Sequence, residues 1–126
     1  MHSILGTSKL SAFIATVNRT RAKTFYVDTL GLALVSEDDF AVVLDANGTH
    51  IRMTTVRDIA IAAYTVLGWE VADIEAAVTE LGAKGVRFEK FPGLPQAENG
   101  IWEAPGGARV AWFKDPDGNL LSVAQK

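Results

Sequence analysis

The chain has 126 residues, a formal net charge of −3 and a hydrophobic fraction of 48%, which suits one domain with a real core. It contains no cysteine, so disulfides, thiolate metal sites and cysteine nucleophiles are excluded. The absence of a basic block argues against nucleic acid binding, and no apolar run approaches the ~20 residues that span a bilayer. Met1 to Leu10 lack the pattern of a signal peptide. We therefore expect a cytoplasmic protein with no nucleic acid or membrane partner.

The first half of the chain predicts a strand, a helix, a strand and a hairpin. The periodicity of its apolar residues indicates strands at 12–17, 32–36, 40–45 and 49–55 and a helix at 19–30. Asn18 is positioned to cap the helix and Gly31 to end it. Ala46-Asn47-Gly48, between the last two strands, is a strong hairpin signal.

The second half repeats this order. Strands are predicted at 65–71, 86–89, 101–104, 108–114 and 120–125, and a shorter helix begins after residue 73. Asp73 is positioned as the N-cap of this helix, and Gly82 is expected to end it as Gly31 ends the first. Pro105-Gly106-Gly107 forms the second hairpin turn.

The repeat defines one domain over residues 1–126, with module one at about 11–55 and module two at about 65–125. A linker at about 56–64 joins the modules. The segment from Phe91 to Gly100 has no counterpart in module one, and its proline and glycine content argues against regular structure. Since unmatched loops often carry function, we expect this segment to be a mobile cover over a binding site.

A resemblance to a known family rests on three stretches. The first is Trp112 to Val123, a strand, a turn and a strand, with Pro116 and Gly118 in the turn. The others are Phe25-Tyr26 with Leu30-Gly31, and Trp69 to Ile74. Together they resemble the vicinal oxygen chelate superfamily, which includes glyoxalase I, extradiol dioxygenases, fosfomycin-resistance transferases and bleomycin-resistance proteins. The resemblance covers about residues 11–124.

This resemblance implies an α+β fold. Two βαβββ modules would form a curved, mostly antiparallel eight-stranded sheet, with the helices outside and a concave cleft inside. We also expect a homodimer, because pairing covers exposed sheet edges and the open side of the cleft.

Metalloenzymes of this family hold a divalent ion with His, Glu or Gln side chains from the first and last strands of each module. Strand alternation places these positions at Ala12, Val66 and Ser122, with the fourth at His50, Arg52 or Thr54. The placement assumes that one set of strand residues packs under the helices: Phe13, Ala15, Val17, Leu67, Trp69 and Val71. Alanine, valine and serine do not supply the three or more donors of a catalytic metal site, so we predict no metal and no cofactor.

Aromatic and polar side chains are predicted to share the cleft with aliphatic ones. The candidate ligand-binding residues are His50, Arg52, Glu70, Trp102, Trp112 and Ser122. Ile14, Val43, Val110 and Lys114 are placed beside them. Arg52 suits a carboxylate or phosphate, and burial could shift His50 and Glu70 into the range of an acid or base.

Each candidate also has a purely structural interpretation. Trp102 and Trp112 would suit a dimer interface as well as a cavity. His50 directly follows the hairpin turn and could be solvated, and Arg52 and Glu70 could form a structural ion pair. Trp69 is expected in the core under the second helix.

Two functional hypotheses follow. The first is a small-molecule-binding protein of the glyoxalase/bleomycin-resistance type that lacks the usual metal ligands and takes a ligand with an aromatic or apolar part and an anionic group. The alternative is a lyase, isomerase or dioxygenase of glyoxalase type with an unorthodox metal site, or a metal-free catalyst that uses His50 and Glu70. An interaction module is a third possibility, and whether the protein is an enzyme stays open.

Overall fold

The computed structural model describes residues 3–126, which divide into two compact units, one ending at Ile59 and the other covering Ala60–Lys126. The strands are β1 (Ser11–Thr16), β2 (Ala33–Glu37), β3 (Ala41–Ala46), β4 (Thr49–Thr55), β5 (Leu67–Glu70), β6 (Trp102–Glu103), β7 (Arg109–Lys114) and β8 (Leu120–Gln125). The helices are a short 3-10 turn (Leu5–Thr7), α1 (Arg19–Lys23), a π-helical continuation (Thr24–Thr29) and α2 (Ile74–Ala83). In the part of the chain that is described, no helix is both long and apolar enough to cross a membrane.

The first unit is a four-stranded sheet with the order β1-β4-β3-β2. β1 runs parallel to β4, and the other neighbours are antiparallel. The Asn18 side chain accepts a hydrogen bond from the Arg21 N–H (3.1 Å) at the start of α1, as predicted. Asn47 (φ 50°) and Gly48 (φ 96°) form the two-residue turn between β3 and β4, a turn type that requires positive φ at both positions.

The second unit has the same topology, with the order β5-β8-β7-β6 and β5 parallel to β8. Each unit is therefore one βαβββ module, and the predicted α+β class is confirmed. The eight strands are hydrogen-bonded as two sheets of four. The predicted strand at 86–89 is wrong, because Phe88 makes only an isolated bridge to Phe113. The edge position beside β7 is taken by β6 instead.

The end of α2 also differs from the prediction. Asp73 caps its start by accepting from the Ala76 N–H (3.1 Å), as predicted. The helix continues through Gly82 to Ala83, and Gly85 is the residue with the left-handed backbone (φ 94°). Gly85 therefore performs the role that the sequence suggested for Gly82.

In the first unit, the sheet face that packs on the helix is built from alternate residues of three strands. Its buried side chains are Ile14, Thr16, Val42, Leu44, Ile51 and Met53, together with Ala22 and Tyr26 from the helix. The predicted alternation of β1 is therefore inverted, since Ile14 is 6% exposed and Phe13 is 65% exposed. Because residues 12–17 are apolar or small on both faces, their pattern could not select the inner one. Thr16 is buried with its hydroxyl bonded to the backbone of Asn18.

In the second unit, the predicted alternation is confirmed. The buried residues of β7 and β8 that share the helix side of the sheet are Ala111, Phe113, Leu121 and Val123. Ile74 and Val78 of α2 are buried, and the Ile74 N–H donates to the Gln125 side chain (2.8 Å). Trp69 pairs in register with Val123, which puts it on this side too.

Candidate ligand-binding faces

The candidate residues lie on the sheet face opposite the helix, called here the far face of each unit. In the second unit, Trp112 pairs with Ser122 and Trp102 pairs with Val110. Directly paired strand residues point to the same side of a sheet, and neighbouring residues point to opposite sides. Trp102, Trp112 and Ser122 therefore share the far face of the second unit.

Three half-buried aromatic rings form a cluster on this face. The ring centroids of Trp102 and Trp112 are 5.9 Å apart, with planes tilted by 33°. The Phe91 ring meets Trp112 edge-on, at 5.4 Å and 85°. This aromatic cluster (Phe91, Trp102 and Trp112) offers flat apolar surface next to polar groups.

The segment that carries Phe91 is held by one side chain that the sequence analysis did not single out. The Gln96 amide oxygen accepts from the Phe91 N–H (2.7 Å). Its NH₂ group donates to the carbonyl oxygens of Glu89 and Gly100, each at 2.8 Å. The segment follows an irregular path, as predicted, and the hydrogen bonds of Gln96 join its two ends. The segment has two amide side chains, Gln96 and Asn99, and the sequence alone did not indicate which of them would join its ends.

Two ion pairs involve far-face residues of the second unit. Lys114, which follows Trp112 on the far face, lies 3.5 Å from the Glu89 carboxylate. Glu70 lies 2.6 Å from Lys126, and its side chain is 67% exposed. The hydrogen bond that Lys126 donates to the Glu70 carboxylate raises the pKa of Lys126. The partner that the structure gives to Glu70 is therefore a lysine of its own unit.

Ser122 occupies the centre of this face with little access to solvent. It is 8% exposed and lies in register between Gly68 of β5 and Trp112 of β7. A Cβ atom built on Gly68 would lie 3.0 Å from the Ser122 Oγ. Val66 comes just before β5, and its N–H donates to the Leu120 carbonyl oxygen (2.9 Å).

In the first unit, the far face carries His50 and Arg52. His50 is 53% exposed and lies 3.7 Å from the Asp45 carboxylate. Within residues 3–126, the Arg52 guanidinium forms no hydrogen bond or close ion pair. It contributes a longer-range attraction to Asp38, whose pKa is lowered mainly by the N–H groups of Phe40 and Ala41. Val43 pairs in register with Arg52 and shares this face.

The inverted alternation of β1 changes which residues accompany Arg52. Ala12, one predicted metal-ligand position, lies on the helix side with Ile14 and not on the far face. Ser11, Phe13 and Ala15 take the far-face positions of β1. Among the residues described, no three His, Asp or Glu side chains are grouped closely enough to hold a metal ion.

A groove of about 510 Å³ opens on the helix side of the second unit, between α2 and the segment after it. Its lining residues are Val78, Thr79, Gly82, Arg87, Phe88, Glu98 and Asn99. It shares no residue with the aromatic cluster, which lies on the far face of the same sheet.

Comparison with known proteins agrees with this architecture. No curated protein matches the chain, but solved structures do. A lactoylglutathione lyase from Agrobacterium tumefaciens has a TM-score of 0.72 at 16% identity, over 94% of this chain and 93% of that one. An antibiotic binding protein from a Streptomyces species has a TM-score of 0.73 at 21% identity, over 98% of both chains.

A further similar structure is a glyoxalase/bleomycin resistance protein/dioxygenase superfamily member from Sphaerobacter thermophilus. It has a TM-score of 0.72 at 26% identity, over 95% of this chain and 98% of that one. The family model described as the Glyoxalase/Bleomycin resistance protein/Dioxygenase superfamily matches residues 10–123. Since that match covers nearly the whole chain, the protein belongs to the glyoxalase/bleomycin resistance protein/dioxygenase superfamily.

Proposed function

We propose that this protein binds a small organic molecule that has a planar aromatic or extended apolar part. The observation that carries the proposal is the aromatic cluster on the far face of the second unit. Its three rings are held against one another at 5.4 and 5.9 Å while each remains half-buried. Small-molecule sites are typically aromatic surfaces with a few well-placed polar groups.

For the first unit taken by itself, we further propose that Arg52 binds an anionic group. A guanidinium that has no close partner within the described residues keeps its donors available to a carboxylate or phosphate. His50 is the second candidate there, as a neutral or charged hydrogen-bonding group.

The donor set supports binding without a metal. The resemblance to the family implies ligand positions at Ala12, Val66, Ser122 and one of His50, Arg52 or Thr54. Ala12 points to the helix side, and valine has no donor atom. Ser11 and Phe13 are the far-face neighbours of Ala12, and with either of them in its place the four positions still offer at most one imidazole. A divalent transition metal takes several imidazole or carboxylate ligands. These residues do not fit the metal of the family's enzymes.

The enzymatic alternative receives less support from the same residues. His50 and Glu70 are both mostly exposed, His50 at 3.7 Å from the Asp45 carboxylate and Glu70 at 2.6 Å from the Lys126 ammonium group. Catalytic acids and bases are usually tuned by burial in a closed site. One similar structure is an antibiotic binding protein and another a lyase, so the fold alone does not decide between the two functions.

We also propose that the protein is a homodimer. The first unit exposes large apolar side chains on and beside its edge strands, namely Leu10, Phe13, Leu34, Val35 and Phe40. Extended apolar exposure of this kind is typical of an interface, and β1 and β2 are the open edges of their sheet.

Intrinsic fluorescence tests the binding proposal, because two of the three tryptophans belong to the aromatic cluster. We expect aromatic carboxylates or glycopeptide antibiotics to quench the emission, and Trp112→Ala to reduce both quenching and affinity. Trp69→Phe, on the helix side, is the matched control and should bind normally.

Charge is tested separately with Arg52→Ala. It should weaken anionic ligands by about 1.5–3 kcal/mol, the range for a hydrogen bond to a charged group, and leave neutral ligands unchanged. Arg87→Ala removes an exposed arginine elsewhere and serves as the control. A ligand whose affinity ignores both Trp112→Ala and Arg52→Ala would place the binding site elsewhere.

A further inference from the structure

The structure assigns a polar contact within the proposed site: Gly68 and Ser122 form a notch beside Trp112 that takes one hydrogen-bonding oxygen of the ligand. This inference rests on the proposed function and narrows its ligand class. The ligand would be a planar aromatic compound with a carbonyl, hydroxyl or carboxylate oxygen attached at or next to the ring.

The first argument is the register of three adjacent strands. Gly68 of β5, Ser122 of β8 and Trp112 of β7 are direct neighbours across the sheet. Direct neighbours point to the same side, which here is the far face. The backbones of Trp112 and Ser122 are therefore one strand spacing apart, about 4.8 Å, and their side chains leave the same face side by side.

The second argument is the state of that hydroxyl. Ser122 as a residue is 8% exposed, and its Oγ makes no hydrogen bond within residues 3–126. The Oγ is not among the fully buried polar atoms that lack a partner, so it keeps some contact with solvent. A ligand oxygen at this point would replace that water as the hydrogen-bond partner of the hydroxyl.

The third argument is the missing side chain at position 68. Gly68 lies in a strand, where glycine is unfavourable unless a close approach requires it, and it does not have the positive φ that would demand glycine. A Cβ there would lie 3.0 Å from Ser122 Oγ and 3.8 Å from Thr65 Cγ2. Glycine thus leaves open the space directly in front of the hydroxyl.

A matched pair of probes tests the notch: naphthol, and the corresponding methylnaphthalene, which has the same shape without the oxygen. In isothermal titration calorimetry we expect the wild-type protein to bind naphthol at least fivefold more tightly. Ser122→Ala should bring this ratio close to one by weakening naphthol alone. Gly68→Ala should weaken naphthol at least tenfold by filling the notch.

Two controls keep the outcomes distinct. Gly82→Ala adds a methyl group at a glycine whose Cβ would meet nothing within 4 Å, and it should leave both affinities unchanged. Ser122→Cys keeps the size of the side chain with a weaker donor, so it should give an intermediate ratio even if Ser122→Ala folds poorly.

If the wild-type protein binds naphthol and methylnaphthalene equally tightly, and Trp112→Ala abolishes the binding of both, the notch proposal is wrong and the binding proposal stands. The notch proposal is also wrong if naphthol still binds at least fivefold more tightly than methylnaphthalene in both Ser122→Ala and Gly68→Ala. If neither probe binds and no aromatic carboxylate or glycopeptide quenches the tryptophans, the proposed function itself fails, and the notch fails with it.

Discussion

Gln96 and Trp102 form an antiparallel bridge, so the residue whose amide joins the ends of the 89–100 segment is paired through its backbone with a tryptophan of the aromatic cluster. The same amide bonds the backbone N–H of Phe91 (2.7 Å). Two of the three residues in the cluster are therefore bonded to Gln96, Phe91 through the amide and Trp102 through the backbone. We expect Gln96 to act as a positioning residue for the proposed binding face, through Phe91 and Trp102.

Gln96→Ala should lower the free energy of unfolding by about 1–3 kcal/mol. Its three hydrogen bonds contribute about 0.5–1.5 kcal/mol each, and water that reaches the freed backbone groups offsets part of the loss. It should also weaken the exciton band of the Trp102–Trp112 pair in circular dichroism. Gln96→Glu keeps the acceptor for Phe91 but faces two carbonyl oxygens without donors, so it should not restore the band.

Gln125→Ala is the matched control, because Gln125 also bonds a backbone N–H, that of Ile74 (2.8 Å). It should reduce stability while leaving the tryptophan band unchanged. If the two variants altered the band equally, Gln96 would have only a general structural role.

The parts of the fold that the sequence predicted well are those governed by local chemistry. Helix caps at Asn18 and Asp73 and the turn at Asn47-Gly48 occur as expected. So does the turn from Asp115 to Asn119, where the Asp115 carboxylate accepts from the Asp117 and Asn119 N–H groups, each at 2.9 Å. Each depends on side chains within four residues of one another, so no tertiary information was needed.

The features that the sequence missed depend on contacts between distant segments. The inner face of β1 is chosen by packing, since both of its faces are apolar or small, and so Phe13 was placed on the wrong side. Residues 86–89 have strand propensity, but only Phe88 reaches β7 to pair. The role of Gln96 depends on the path of a loop, which composition alone does not specify. Arg52 and Trp112 could be placed because β4 and β7 alternate between buried and less buried residues. Ser122 could be placed because it lies between the apolar residues Leu121 and Val123, although β8 is buried on both faces.

Two glycines near the C-terminal end of α2 should respond in opposite ways to substitution by alanine. Gly82 lies inside the helix with open space around its missing Cβ, so Gly82→Ala should stabilise the protein by about 0.4–1 kcal/mol. Gly85 has a φ of 94°, so Gly85→Ala should destabilise it by about 1 kcal/mol or more. Urea unfolding of both variants measures the difference. If Gly82→Ala were instead the less stable variant, Gly82 and not Gly85 would be the residue that ends the helix.

Acid should weaken the first unit through Asp38. The N–H groups of Phe40 and Ala41 (2.8 and 3.0 Å) bond its carboxylate and lower its pKa. Since the folded pKa lies below the unfolded value of about 3.9, this stabilisation is complete above that value. It is lost as the pH falls through the folded pKa.

Asp38→Asn should remove this part of the pH dependence, which unfolding experiments between pH 6 and pH 2 would measure. Asp58→Asn, at an exposed position of the linker, serves as the control. An unchanged acid profile in Asp38→Asn would show that these N–H bonds do not discriminate between the charged and neutral carboxyl group.

The homodimer proposal predicts a mass of about twice the 13.5 kDa chain in sedimentation equilibrium at micromolar concentration. Phe13→Ser should shift the equilibrium toward monomer at least tenfold, because Phe13 is a large exposed side chain on the edge strand β1. Ile61→Ser, at a half-exposed position of the second unit, should not. A single species at 13.5 kDa would contradict the proposal.

Divalent metal ions should leave the thermal stability unchanged. A ligand that binds only the folded state at a hundredfold excess over its Kd adds about 2.7 kcal/mol, which for a chain of this size raises Tm by several degrees. The far-face residues of the first unit offer one imidazole, at His50, and Arg52 repels a cation beside it. We therefore expect no such rise with Zn²⁺, Ni²⁺, Mn²⁺ or Fe²⁺ in scanning calorimetry.

A rise of that size that disappears in His50→Ala, but persists in the exposed control Asp58→Ala, would show that His50 binds a metal ion. Binding would then have to be explained through that ion.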